Sequence, residues 1–338
     1  MFFRFFLLIV ILTSCTSNEN TFFGGKILNP SSEKLSLYKN DSLIGESIID
    51  SNGNFQIIID SISSGLFNFY HDPEFQYIIL EKNDSLKIRL NTLDFDESLV
   101  YTGFGSGKNN FLMDVFLKSE QDEDFINSNL NLEFDQYKRL VDSLYTNQFN
   151  SFNQYLSENE ISILSQDIIS SAILYPYLSK IHSFIIRNNI SPEEQFILFK
   201  PYNLNIDYNL KFLGYFKPYI DFIYLDIYNK VKNEKNFNSL AEFNQRRLIK
   251  TDEIITSALV KERVLRFHAI GFLLQKQHDS INRAFLKTFT KVSKNESINK
   301  EIFNLYECLK ELVIYFLFYN LQEIFLNQYP SKGGLIDF

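Results

Sequence analysis

Leu86-Lys87-Ile88-Arg89-Leu90 and, shortly after it, Gly103-Phe104-Gly105-Ser106-Gly107-Lys108-Asn109-Asn110-Phe111-Leu112 mark where this chain changes its kind of structure. In the first stretch apolar residues alternate with cations, a period of two that puts Leu86, Ile88 and Leu90 on one side of a strand and Lys87 and Arg89 on the other. Such a strand covers a core on one side only. In the second, three glycines punctuate a β-to-α turn. Beyond Lys108 the apolar spacing widens to between three and four, the period of an amphipathic helix. The chain therefore reads as α+β: an antiparallel β-sandwich over residues 21–107, then an all-α domain over 108–312.

Upstream of the turn the pattern is short apolar runs, Phe22 to Leu28, Leu35 to Tyr38, Phe55 to Ile59, Leu66 to Tyr70 and Tyr77 to Leu80. Turn formers separate them: Asn29-Pro30, Lys39-Asn40-Asp41, Asp50-Ser51-Asn52-Gly53-Asn54, Ser64-Gly65 and Asn83-Asp84. Asn and Gly tolerate the positive φ that tight turns need, and strands at this near-regular spacing predict a sandwich.

Downstream, Phe134, Tyr137, Leu140, Val141, Leu144, Tyr145, Phe149, Phe152, Tyr155 and Leu156 fall on one helical stripe. Similar stripes cover Ile161 to Ile186, with an interruption expected near Pro176, then about Tyr215 to Lys232, Asn238 to Leu248, Asp252 to Gln275 and Asp279 to Val292. Ser191-Pro192-Glu193-Glu194 supplies an N-cap, a proline at the first helical position and acids in the first turn, so another helix runs from there to Lys200. Short polar connections predict helices packed antiparallel.

The front of the chain is of a different kind. Met1-Phe2-Phe3-Arg4, the apolar run Phe5 to Ile11 and Leu12-Thr13-Ser14-Cys15 are the charged start, greasy core and small residues of a secretory signal, too short to span a bilayer. A cysteine directly after Leu-Thr-Ser resembles the bacterial lipobox, which implies that residues 1–15 are a lipoprotein signal and that Cys15 becomes a lipid-bearing N-terminus. Residues 16–20 then form a polar tether. A diacylglyceryl group would hold the protein on the membrane, since two acyl chains anchor firmly where one is marginal. Residue 16 is Thr and not the Asp of an inner-membrane retention signal, so the outer membrane is expected, with the periplasmic or surface face open.

Composition narrows the classes. Hydrophobic residues at 45% with 22% charged describe a folded mature part that does not span the membrane. A net charge of −8 without a basic stripe argues against nucleic acid, whose binding requires cationic surface. Aromatic residues reach 16%, with 35 Phe, 19 Tyr and no Trp, which reads first as core mass and second as a glycan-stacking surface. With Cys15 lipidated, Cys308 is left alone in an apolar helical stretch, where a buried, inert thiol is expected.

Tyr77 to Leu86, Arg89 to Tyr101 and Gly103 to Leu112, taken together, resemble the N-terminal half of thioredoxin-like (TlpA-type) disulfide reductase lipoproteins, whose β-domain ends in a Gly-rich turn and a Lys-Asn-Asn-Phe-Leu helix start. The likeness covers roughly Cys15 to Leu112 and extends to the helical part only in character. It implies a following thioredoxin fold with a Cys-x-x-Cys couple. The two cysteines here are Cys15 and Cys308, so a dithiol couple has no seat in this sequence.

Other chemical constellations are weak. Asp94, Asp96 and Glu97 could converge on a metal or form an acid–base pair, but no Gly-anchored calcium loop surrounds them and a solvated turn is the plainer reading. Gly103, Gly105, Gly107 and Lys108 suggest a phosphate cradle at a helix start, yet match neither the dinucleotide fingerprint nor the P-loop. His71, His182, His268 and His278 are scattered; His268 and His278 straddle a helix end and read as surface residues, not zinc ligands. No Gly-x-Ser-x-Gly elbow is present. No catalytic residue, cofactor or metal ligand is therefore assigned.

Leu312 to Leu321 is nearly all apolar and loses the amphipathic pattern. It reads either as a buried terminal helix or, with the rest of 313–338, as an aberrant tail that a frameshift or early stop put in place of the family's linker and redox domain. Two functions follow from these readings. The preferred one is a non-catalytic, membrane-anchored binding or scaffold lipoprotein with an envelope protein or glycan partner. The other is a truncated thiol-disulfide oxidoreductase, inactive in this chain.

Overall fold

The computed structural model describes residues 20–202, 206–234, 237–275 and 278–311. Cys15 and the stretch 313–338 lie outside these, so neither the lipid site nor the reading of the tail is addressed by the fold. Eight strands come first: β1 (Thr21–Leu28), β2 (Lys34–Lys39), β3 (Ser42–Ile48), β4 (Asn54–Ile59), β5 (Gly65–His71), β6 (Glu74–Leu80), β7 (Ser85–Asn91) and β8 (Val100–Phe104), with a single turn of helix, α1 (Phe95–Ser98), before β8. They form two four-stranded sheets, ordered β4-β1-β7-β8 and β3-β2-β5-β6. Inward residues of both merge into one core that includes Phe23, Ile57, Ile88 and Tyr101 from the first sheet and Leu35, Leu37, Phe69 and Ile78 from the second. The expected sandwich is present, with one departure from antiparallel pairing: β1 runs parallel to β7, from Phe22 opposite Ser85 to Leu28 opposite Asn91.

The turn chemistry does what the sequence requires of it. Asn29, Asn40 and Asn83 have φ of 52°, 55° and 70°, and Gly53 has φ of 84°. In the Gly53 turn the Asp50 carboxylate accepts from the backbone N–H of Asn52 and of Asn54, both at 2.8 Å. The predicted strand around Ile88 alternates as expected, with Leu86, Ile88 and Leu90 buried and Lys87 and Arg89 exposed.

The helices are α2 (Ser106–Ser128), α3 (Phe134–Glu158), α4 (Ile163–Asn188), α5 (Pro192–Phe199), α6 (Lys217–Lys232), α7 (Leu240–Ile254), α8 (Ala258–Leu273), α9 (Asp279–Val292) and α10 (296–311). None among the described residues is long and apolar enough to cross a membrane. Ser191 caps α5 in a full capping box with Glu194. The expected interruption at Pro176 is absent; α4 continues through it. The described residues divide into two compact units, 20–117 with 163–165, and 118–162 with 166–311. That boundary falls inside α2 and not at Gly107, because the first turns of α2 belong to the sandwich: Met113 is part of its core and Phe116 packs against it. In the second unit Tyr137 of α3 stacks on Phe184 of α4 at 3.8 Å, and Phe272, Phe285, Phe289 and Ile302 join α8, α9 and α10 in one cluster.

Candidate functional site

The Gly-Lys-Asn-Asn turn is where the sequence placed its most specific motif, and the structure gives each residue a task inside the sandwich unit. Lys108, 5% exposed, reaches Glu81 Oε2 at 2.5 Å and Asp84 Oδ2 at 2.8 Å. Burial pushes the Asp84 carboxyl up, while Lys108 pulls it back down. A Cβ on Gly105 would lie 2.3 Å from Asp84 Oδ1, so a carboxylate of the chain itself already fills the space against the turn. Asn109 Oδ1 accepts from Ile79 N–H at 2.7 Å and its amide donates to Ile79 C=O at 2.9 Å. Asn110 does the same for Tyr101, at 2.8 and 2.9 Å. Strands β6 and β8 each lie at one edge of their sheet, so two successive asparagines stand in for the neighbouring strand that these edges lack. The motif is a structural clasp.

The other sequence candidates also separate. Asp94 and Glu97 are exposed at α1, whereas Asp96 is half-buried and accepts from Gln76 Nε2 at 2.8 Å; burial raises its carboxyl against that bond. Among the described residues no three metal-ligating side chains cluster. His71 is buried and organises the loop before β2: its Nε2 accepts from Ser31 N–H at 3.0 Å. His278 caps α9. His268 is not on the surface as expected; it is 2% exposed in α8, bonded through Nε2 to Asn244 Oδ1 at 2.8 Å, and held well below the ordinary imidazole range by burial and by nearby Arg247. Cys308 corrects a second expectation. It is exposed, because α10 turns Ile302 and Tyr306 inward and position 308 lies two residues, about 200°, from Tyr306.

A surface that the sequence did not single out residue by residue lies on the outer face of the sheet β3-β2-β5-β6. Leu35 and Leu37 point into the core, so alternation turns Lys34, Ser36 and Tyr38 of β2 outward; Phe67 and Phe69 likewise leave Tyr70 of β5 outward. Tyr38 meets Tyr70 edge-on at 5.3 Å, Tyr70 stacks on Phe75 at 5.2 Å with planes 22° apart, and Phe75 meets Tyr77 edge-on at 5.6 Å. Tyr70 is 37% and Phe75 40% exposed, while Tyr77 is covered by Phe116. The ladder opens onto a groove of about 350 Å³ lined by Lys34, Ser36, Tyr38, Asn40, Asp41, Tyr70 and Asp72. Lys34 is paired with Glu46 at 2.8 Å, and Ser36 donates to the same carboxylate at 3.0 Å. The Lys34 ammonium is held above its ordinary range and the Glu46 carboxyl below it by this bond. Aromatic faces beside paired polar groups can take a ligand with an apolar flat side and a hydrogen-bonding edge. The signal in the sequence was the alternation of Lys34, Ser36 and Tyr38, which needed the partner strand to become a surface.

No family model matches the chain, and neither the curated proteins nor the solved structures contain a match to it. The assignment of function therefore rests on this chain's own residues.

Proposed function

We propose that the protein is an envelope lipoprotein, anchored through lipid on Cys15 at the outer membrane, and that its β-sandwich is a non-catalytic binding module for an envelope glycan. In this reading the β-sandwich is similar to the front half of a TlpA-like reductase, and the helical region serves as scaffold. The lipobox-like Leu12-Thr13-Ser14-Cys15 supports the anchor. The observation that carries the binding role is the Tyr38–Tyr70–Phe75 ladder along a polar groove, with Tyr70 and Phe75 exposed and Tyr38 half-buried. A sugar ring lays its C–H face on an aromatic face while its hydroxyls reach groups such as Asn40, Asp41 and Asp72. The groove volume lies at the low end of the roughly 300–1,000 Å³ of small-ligand clefts, which suits a few sugar units of a longer chain.

The test is co-sedimentation of the purified full chain with insoluble envelope polysaccharide. The wild type should pellet with it, and a Tyr70→Ala/Phe75→Ala chain should stay in the supernatant while keeping its wild-type circular dichroism. Equal pelleting of the two chains, or no pelleting of either, removes the glycan role. Recovery of a protein partner through the same face would replace glycan by protein as the ligand.

A further inference from the structure

The outer face of the sheet β4-β1-β7-β8, on the side of the sandwich away from the Tyr38–Tyr70–Phe75 groove, has a different chemistry. Side chains along each strand alternate between core and outer face, and register sets the outward ones in rows across the four strands. In the first row Ile58 stands opposite Phe22, Phe22 opposite Ser85 and Ser85 opposite Phe104. Ile58 is 59% and Phe104 72% exposed, and the Phe22 ring lies over Gly24, where a Cβ would come within 2.7 Å of it. In the next two rows Lys87 stands opposite Gly24 and Arg89 opposite Lys26, with all three cations exposed. Gln56, Thr102, Asn54 and Val100 complete these rows, so no acid stands among them. None of the three cations is in an ion pair among the described residues. A chain of net charge −8 thus keeps three unpaired cations and a row of apolar side chains together on one sheet face. The cations come from two strands, β1 and β7, so no basic run marks them in the sequence.

We propose that this face lies on the membrane, with Phe22, Ile58 and Phe104 at the boundary of the acyl chains and Lys26, Lys87 and Arg89 among anionic lipid headgroups. Apolar side chains gain by leaving water for the acyl boundary. Each cation near an anionic bilayer adds roughly fivefold to the docked population, about a hundredfold for three. A soluble polyanion would match the cations and leave Ile58 and Phe104 in water. An apolar protein surface would cover those two and leave the cations desolvated without a counter-charge. An anionic lipid surface answers both. The orientation rests on the anchor at Cys15 proposed above. Six residues of chain from Cys15 to Thr21 reach at most about 20–22 Å, so the sandwich is held close to the bilayer. Phe22 is the second residue of β1, which makes the apolar row the end of the face next to the tether. Docked in this way, the sandwich turns its aromatic groove away from the bilayer, where an envelope glycan can reach it.

The chain contains no Trp, so one substitution supplies a single fluorescent reporter. Phe104→Trp places it on the proposed membrane face. Ile48→Trp places it on the opposite sheet, at a 79% exposed position of β3 that pairs with the outward Lys34. The full chain is mixed with vesicles of phosphatidylcholine and phosphatidylglycerol carrying brominated acyl chains, which quench an indole at the acyl boundary and not one in water. The Phe104→Trp chain should be quenched and the Ile48→Trp chain should not. Brominated phosphatidylcholine alone should quench the Phe104→Trp chain far less. Adding Lys26→Gln/Lys87→Gln/Arg89→Gln should bring its quenching on the anionic vesicles down toward that of Ile48→Trp, since the three cations carry about a hundredfold of the docked population. Equal quenching at the two positions, or quenching of Phe104→Trp that is indifferent to anionic lipid, overturns the docked face. The comparison of the two lipid mixtures needs no charge variant, so it stands even if the triple substitution unfolds the sandwich. Vesicle flotation reads the anchor separately. Flotation that depends on Cys15, without quenching of Phe104→Trp, removes the docked face and keeps the anchor; quenching and flotation both unchanged by Cys15→Ser keep the face and remove the anchor.

Discussion

Replacing Asn109 by Ala should loosen the sandwich more than any substitution of comparable size on its surface. Asn109 and Ile79 are both buried, and the Asn109 amide satisfies both the N–H and the C=O of Ile79 on an otherwise open strand edge. Removing it leaves two buried backbone groups unpaired. Each such group costs about 1–3 kcal/mol, and partial entry of water at an edge strand brings the pair to about 2–4 kcal/mol. Asn110→Ala deletes the same two bonds at Tyr101, but Asn110 is only half-buried, so water substitutes more readily and about 1 kcal/mol is expected. Urea unfolding followed by hydrogen exchange at the Ile79 and Tyr101 amides separates the two sites. With a slope of about 1–3 kcal/mol per molar urea, Asn109→Ala should lower the midpoint by roughly 1–2 M and expose Ile79 to exchange before global unfolding. A midpoint within about 0.3 M of the wild type, or a larger loss for Asn110→Ala, would refute the clasp.

Three further outcomes are expected. Burial holds His182 down to about 4, below an ordinary 6.5, so the unfolded chain takes up a proton that the folded one refuses; its contribution is full above pH 6.5 and is lost as pH falls toward 4. Between pH 7 and 5 this histidine alone should remove about 2 kcal/mol, with His268 adding in the same direction, and His182→Gln should flatten the slope of urea stability against pH. Cys308, being exposed, should react with a thiol reagent in the native protein at the rate it shows in urea; protection in the native state would return it to the core. Labelled palmitate should enter the wild-type chain and not Cys15→Ser, which should leave the envelope fraction; retention of Cys15→Ser after washing would remove the anchor.

What could be read from the sequence, and what could not, follows a physical line. Strands with a buried face and Asn or Gly turns were legible because both signals are local, as at Leu86–Leu90 and Asp50–Asn54. Strand β3 escaped notice because Ser42–Ile48 lies at a sheet edge with its side chains exposed or half-exposed throughout and Gly45 at its centre, so no period of two survives. The connection between α7 and α8 was misplaced for a related reason. Asp252 to Ile254 reads as the start of a helix, while the structure makes it the end of one and begins the next at Ala258. Pro176 reads as a break because proline lacks its N–H, yet α4, which buries Ile173, Tyr177 and Ile181 around it, carries the helix through. Cys308 could have been placed correctly: Ile298, Ile302, Leu305, Tyr306 and Leu309 form the inward stripe of α10, and 308 is off it. The asparagine clasp could not, since nothing in Lys108-Asn109-Asn110 says which strands will be edges. The Tyr38–Tyr70–Phe75 ladder and the Lys26–Lys87–Arg89 face depend in the same way on residues brought together from distant segments.

Glycan binding at the Tyr38–Tyr70–Phe75 face, the role proposed for the sandwich, would cover these three side chains. Hydroxyl-radical footprinting of the full chain, with and without solubilised envelope oligosaccharide, reads these side chains directly. Oxidation of Tyr38, Tyr70 and Phe75 should fall together on addition of the glycan, while exposed aromatics elsewhere, such as Phe104 and Phe196, keep their rates. Unchanged oxidation of the three, or protection only at the distant aromatics, would contradict the account.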